Sequence, residues 1–517
     1  MADKRGRHTQ GAWATIVFVN SLILVLLVLS ALAYSTLTDY LPEERTLFFV
    51  VTVALFLVFV WTLWSWRALT GSLFNPYALF LIAAVLFNGG QTFLEILGIN
   101  EFSALYAHRD VYGQFSPETI LKTTFLVTLG LAAFHAGGLL SIPITHQRSA
   151  TREKSAGERR DDALTAMALR VVGWGLLAVS IVPALLEMKA SLAVVSSFSY
   201  QGSFQQESSS SALRILAEAI VPATIFLLAG SKNFRFNIMV SGITVLSYCS
   251  ALMFVGERHG AVMLLLAWGW VYHRCIHRIP RTILLGFGAL MLFIVFPVVA
   301  VFRLKSGSER FSLSSLLDSF SSIENPVVAI LQEMGRSMET VAYTIELVPD
   351  YRNFDMGMSY LYAMSSVIPN VFWEVHPSVA HGLLDDWLVQ TVDPMVVTSI
   401  GNSYGFSFIA EAYLNFGWIG APFALGIMGF LLGWFVMRAD RSLDPAKIAM
   451  VGAFTGFFLL FARGESNEVI RFLVWYALIP YLGVLWLRSF AVPRRTGSRS
   501  RSTRPDPTMR VGPNEVR

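Results

Sequence analysis

The chain has 517 residues, of which 54% are hydrophobic, 13% aromatic and 14% charged, with a formal net charge of +4. An average soluble protein is about 25% charged, so a single water-soluble core is excluded. The apolar residues come in blocks of roughly 18 to 25, the length that crosses about 30 Å of hydrocarbon, and the expected fold class is all-α, a polytopic membrane protein of about twelve transmembrane helices.

In chain order, a short arm (1–11) leads into nine spans between 12 and 302, expected near 12–34, 46–66, 75–95, 119–141, 165–187, 212–230, 237–255, 260–273 and 282–302. A large insertion, 303–407, follows. Three more spans, near 408–437, 446–462 and 472–488, precede a basic tail, 489–517. The first span is too long for a removable signal peptide and lacks a small-residue cleavage site, so it is expected to be retained. Placing the N-terminus in the cytoplasm puts 26 of the 39 Lys and Arg on that side. That is the positive-inside asymmetry of a bacterial inner-membrane protein with both termini cytoplasmic, and it sets the insertion in the periplasm. Segments 146–162 and 494–517 are too polar to repay chain ordering and are expected to be disordered, the tail touching anionic lipid headgroups. No aromatic residues interleave with its arginines, so nucleic acid is not an expected partner. Cys249 and Cys275 lie in or beside apolar blocks, which excludes a disulfide framework and a Cys-based zinc site.

A one-sided insertion of this size is expected to be functional. From Pro326 to Val348, residues Val328, Leu331, Met334, Met338, Val341 and Ile345 repeat at helical spacing. This predicts an amphipathic helix along the membrane surface, with Glu333, Arg336 and Glu339 on its polar flank. Residues 359–367 and 371–387 mix aromatic, apolar and acidic side chains, as a lid over a cavity would.

Charged groups at the ends of spans are costly unless paired or hydrated, which makes them functional candidates. On the insertion face these are Glu257, Arg258 and His259 in the turn Gly256–Gly260, then Arg303, Arg336, and Arg463 and Arg471 with Glu465 and Glu468 between the last two spans. Charge bias disfavours arginine there. An anionic ligand such as a diphosphate, gripped by guanidinium forks, justifies the set; internal pairing with the glutamates is the competing reading.

Ser407, Glu411 and Asn415, at i, i+4 and i+8, form a polar stripe entering the tenth span beside Tyr404. Glu411 either holds an arginine or accepts a proton from a sugar hydroxyl. Gly417 and Gly420 permit close helix packing. His376, His381 and Asp385 in the insertion are glycan-binding candidates or loop caps. Asn88, Gln91, His135 and Glu218 lie within spans and suit either a hydrophilic cavity or interhelical hydrogen bonds. His273 and His277 sit among arginines, and no metal site or cofactor is expected.

At the Gly-Glu-Arg-His-Gly turn, the Arg336 segment, Gly-x-Ser-x-x-x-Glu-x-Tyr-x-Asn-Phe-Gly (Gly405 to Gly417) and the Arg463-Gly464 turn, the chain resembles the O-antigen polysaccharide polymerases of the Wzy type. The resemblance covers roughly residues 210–475. It implies glycosyl transfer between undecaprenyl-diphosphate-linked oligosaccharide repeat units at the periplasmic face, without metal or nucleotide sugar, and a chain-length-regulating membrane protein as partner. Within that reading, Glu411, His259 and Glu257 are the candidate bases. Arg258, Arg303, Arg336, Arg463 and Arg471 are the candidate diphosphate ligands, and Ser407, Tyr404, Asn415, His376, His381 and Asp385 the glycan ligands. An O-antigen ligase is the nearest alternative. A lipid-linked oligosaccharide flippase is disfavoured because the chain shows no two matching halves.

Overall fold

A computed structural model describes residues 2–36, 44–99, 115–144, 156–197, 211–302, 325–370, 372–395 and 404–491, with isolated positions between 305 and 323. Every regular element among the described residues is helical: α1 (Ala2–Thr36), α2 (Glu44–Thr70), α3 (Pro76–Ile96), α4 (Pro117–Ile144), α5 (Ala156–Ser197), α6 (Ser211–Glu218), α7 (Ile220–Ala229), α8 (Arg235–Val255), α9 (Arg258–Cys275), α10 (Arg281–Leu290) and α11 (Phe296–Phe302) precede the insertion. The described part of the insertion holds α12 (Pro326–Met334), α13 (Ser337–Leu347), α14 (Met358–Ser365), α15 (Pro377–His381) and α16 (Leu384–Val392). Then follow α17 (Phe408–Asp440), α18 (Pro445–Phe458), α19 (Ser466–Phe472) and α20 (Ile479–Ala491). A π-helical turn, Met291–Val295, joins α10 to α11, and another, Leu473–Leu478, joins α19 to α20. Arg303, the start of the insertion, Gly401–Ser403 and the tail from 492 lie outside the described residues.

Several helix starts follow from local chemistry. Asn75, Asn325, His376 and Asp444 each precede a proline and accept a hydrogen bond from a backbone N–H in the first turn of α3, α12, α15 and α18. Proline at the first helical position loses no useful donor, and the capping side chain satisfies one that the helix cannot.

Eleven helices among the described residues are long and apolar enough to cross a membrane. The expected twelfth, α9, is present with 18 residues, but Arg258, His259, His273 and Arg274 at its ends lower its apolar content. It still runs the depth of the bundle. At one end Arg258 pairs with Glu333 of the insertion, and at the other Arg274 pairs with Asp440 at 3.4 Å. That second face also holds Arg488 with Asp444 at 3.7 Å, and Arg441 donating to the Ile142 carbonyl at 2.8 Å.

Small residues set the closest helix packing. A Cβ at Gly429 of α17 would stand 1.8 Å from the Phe134 carbonyl oxygen of α4, and one at Gly137 would stand 1.8 Å from that of Gly426. Without a hydrophobic drive between helices in lipid, such backbone contact supplies the attraction. At Gly417 (φ 62°) α17 is kinked, and the Phe354 ring fills the space beside it, so this glycine turns the chain as well as packing it.

The structure corrects two local expectations. Residues 156–162, read as part of a disordered linker, form the first turns of α5. The segment 326–348 is two helices, and α13 is not a surface helix: nine of its eleven residues are buried among α3, α4 and α17. The chain breaks where Gly335 meets Gly90 of α3; a Cβ at Gly90 would stand 2.9 Å from the Gly335 Cα. Helical periodicity reports an apolar face but not whether lipid or protein covers it.

Candidate functional site

Between the insertion and the bundle lies a cavity of about 1470 Å³. Sequence-distant segments meet at its polar end. The first is the turn from α8 to α9: Gly256 adopts φ 106°, and the N–H groups of Gly256 and Glu257 both donate to the Leu252 carbonyl, at 3.0 and 2.9 Å. Glycine reaches that left-handed conformation without strain, so α8 ends and the chain turns directly into α9. The second is the α12–α13 junction with Glu333 and Arg336, and the third is the turn after α18, from Arg463 to Glu468. Gly405 (φ 73°) fits this third turn closely, since a Cβ there would stand 2.6 Å from the Arg463 carbonyl, and the next residue, Phe406, donates its N–H to that carbonyl at 3.1 Å.

Arg258, Arg336 and Arg463 all line this cavity. Their states differ. Arg258 makes a two-point ion pair with Glu333 and donates to the Phe296 carbonyl at 2.9 Å, so its fork is engaged by protein. Arg336 is 46% exposed, only loosely paired with Glu339 at 3.4 Å, and its guanidinium lies 5.9 Å from the Tyr404 ring centroid. The Arg463 guanidinium lies 5.7 Å from the ring centroid of Phe87. Arg471 sits on α19 against the Phe472 ring and is not part of the lining. Arg214, which sequence reasoning missed, lines the cavity paired with Glu218 at 3.3 Å. Its signal was the i, i+4 spacing to a glutamate at the head of an apolar run.

Glu257 and His259 also face the cavity, 37% and 42% exposed, with Nε2 of the histidine 3.6 Å from Oε1 of the glutamate. Gly260 leaves the room: a Cβ there would stand 3.2 Å from Glu257 Oε1. Desolvation in the wall pushes the Glu257 carboxyl up to about 7, with Arg214 opposing the rise and Glu218 and Glu187 adding to it. Glu465, also lining, is pushed up to about 9 by burial, with Asp385, Glu411 and Glu468 adding and the Leu384 amide opposing. It is therefore largely protonated at neutral pH, which reduces the negative charge of an acid-rich lining. Asp385 and Tyr404 line the same space, where the Tyr404 hydroxyl donates to Asp393 at 3.2 Å.

The polar stripe on α17 lies elsewhere. Ser407, Glu411 and Asn415 are each no more than 1% exposed. Ser407 caps α17 and donates to Asn88 Oδ1; Glu411 accepts from Ser359 Oγ (2.8 Å), Ser466 N (2.8 Å) and Ser466 Oγ (2.6 Å); Asn415 donates to Ser359 Oγ (2.7 Å) and accepts from Gly357 N (2.8 Å). The stripe fastens α14 and α19 to α17. Asn88, Gln91 and His135 likewise bond between elements, to Ala462 O, Gln332 O and Ser65 Oγ. His273 Nδ1 accepts from Ile279 N.

The insertion histidines stand apart from the cavity. His376 caps α15 through Ser378. His381 bonds Asp355 at 3.1 Å, stacks on Tyr362, and lines a second pocket of about 590 Å³ with Arg352 and Trp387.

Among known proteins, the family model described as O-antigen polysaccharide polymerase Wzy matches residues 16–493. No curated protein and no solved structure matches the chain.

Proposed function

The chain belongs to the O-antigen polysaccharide polymerase family, and from that premise we propose that it joins lipid-diphosphate-linked repeat units in the cavity beneath the insertion, at the periplasmic face of a bacterial inner membrane. The acceptor's sugar hydroxyl attacks the anomeric carbon of the donor glycan. The bond from that carbon to the diphosphate oxygen breaks, and the polyprenyl diphosphate leaves with the electron pair. Arg336 and Arg463 are the groups that stabilise the charge developing on it, the largest effect a fixed cation can contribute. Arg258, engaged by Glu333, positions the turn. Glu257, supported by His259, accepts the hydroxyl proton, and Tyr404 and Asp385 contact the glycan. Glu411, Ser407 and Asn415 hold the insertion onto the bundle.

The observation that carries this reading is the meeting of Arg336, Arg463 and the Glu257 carboxyl in one cavity, where desolvation raises that carboxyl toward neutrality. A general base is most effective when its pKa lies near the working pH. Deletion of the gene, with gel analysis of surface glycan, is the test: loss of long chains with a single repeat unit retained supports polymerisation, whereas loss of attachment to the lipid core indicates a ligase.

Arg336→Ala should lower polymer formation by about a hundredfold or more with abundance unchanged, the scale for removing one transition-state charge donor. Arg336→Lys should restore only part of it, because an ammonium cannot make two parallel contacts. Arg258→Ala should act differently: it removes the two-point ion pair to Glu333 in a partly buried site and should lower abundance, measured by membrane immunoblot. For orientation, reporter fusions after Arg310 and after Arg488 should report opposite sides of the membrane, with Arg488 cytoplasmic.

A further inference from the structure

The cavity does not end at its charged mouth. It continues down the bundle as an apolar trench between α3, α9 and the rod formed by α10, the π-helical turn and α11. On α3, residues 75–90 are fully buried except Leu79, Ile82, Ala83, Leu86 and Phe87. These five fall at i, i+3, i+4, i+7 and i+8, one face of a helix. All five line the cavity. An inner helix has thus left one apolar stripe uncovered by protein. Opposite it, Leu284, Leu285, Gly288 and Leu292 face the trench from α10 and the π-helical turn.

The rod itself is held loosely. None of the residues of α10 is buried, and a Cβ at Gly286 or Gly288 would meet nothing within 4 Å. Its firmer contacts are at the other end, where the π-helical turn and α11 touch α12. From Leu284 to Phe296 the wall runs twelve residues, about 18 Å of helix. Phe296 lies at the mouth, where its carbonyl accepts from Arg258.

From this geometry we infer that the trench is the binding site for the polyprenyl chain of the lipid-linked donor, which enters from the bilayer past the Gly286–Gly288 side of α10. The inference rests on the polymerase reading and locates the part of the substrate that the reading leaves unplaced. A diphosphate held by Arg336 and Arg463 has its glycan toward the insertion and its hydrocarbon toward the membrane. The trench is the apolar continuation of that same cavity. A bulk phospholipid would cover the stripe equally well by hydrophobicity alone; the prenyl chain is favoured because the trench is continuous with the arginine-lined mouth to which the polymerase reading assigns the diphosphate.

The test uses the full-length protein in phospholipid nanodiscs, with undecaprenyl diphosphate carrying a diazirine in its distal isoprenes and a diazirine-tailed phosphatidylglycerol as comparison. The prenyl probe should label peptides containing Leu79–Leu86 and Leu284–Leu292, and unlabelled undecaprenyl diphosphate should compete it away. Gly288→Trp, in open space, should fill the trench and lower that labelling by about tenfold, the cost of displacing roughly two buried methylene groups. Ala83→Trp, from the facing wall, should do the same. Equal labelling of these peptides by the phospholipid probe, or prenyl labelling confined to lipid-facing helices such as α1, would overturn the proposal. The labelling needs no glycan, so it is independent of the polymerase reading: polymer formation without trench labelling removes the trench alone, and trench labelling without polymer removes the reading of function.

Discussion

Glu257→Gln should lower glycan extension by about a hundredfold, the usual scale for loss of a general base, with membrane abundance unchanged. The side chain is more than a third exposed to the cavity, and the amide keeps its shape, so no folding defect is expected. The pH dependence carries a second signature. A base works in its deprotonated form, and desolvation has raised this carboxyl to about 7. Polymer formation should therefore rise about tenfold per pH unit well below 7 and level off above it, whereas an unperturbed glutamate would break near 4.3. Glu257→Gln should remove that slope along with most of the rate. A full-rate variant would shift the base to His259, and a wild-type profile flat between about pH 5 and 8 would exclude both groups as the base, since an ordinary imidazole also titrates in that window.

Glu411→Gln should instead reduce the amount of folded protein while leaving the rate per folded molecule within about threefold of wild type. Both carboxylate oxygens are engaged: one accepts from two hydroxyls, the other from the Ser466 N–H. Ser359 Oγ already accepts from Asn415, so its own hydrogen must be given to Glu411. An amide supplies one oxygen and turns the other position into a donor facing donors. Each buried group left unsatisfied costs about 1 to 3 kcal/mol, so the total is about 2 to 5 kcal/mol, a large share of a typical folding free energy. Thermal unfolding of the purified protein and polymer formed per mole of protein separate the two quantities. Normal stability with a hundredfold lower rate would return Glu411 to a role in proton transfer.

The stripe on α17 shows why the fastening residues resembled a site. Gly405, Ser407, Glu411, Asn415 and Gly417 form the most specific motif in the chain, and each has a structural reason: two positive-φ glycines, a helix cap, and two polar side chains that bond the insertion and α19 to α17. Sequence spacing correctly put the three polar residues on one helical face. A polar face in a membrane helix demands partners, but the demand is met equally by substrate, water or another part of the chain.

By itself the sequence determined the membrane-spanning class, the helical architecture and many helix boundaries, because apolar run length and Asn-Pro or Asp-Pro capping act within a few residues. Tertiary structure alone decided which charges meet. Arg258 is engaged by Glu333, 75 positions away, Ser407 by Asn88, 319 positions away, and Arg214 joins the cavity from a helix no motif had marked. It also buried α13, through a contact between two glycines that have no side chains to advertise it. The physical reason is that burial raises the energy of every unpaired polar group, so pairing is obligatory, while the partner's identity depends on how distant helices pack, which no local pattern encodes.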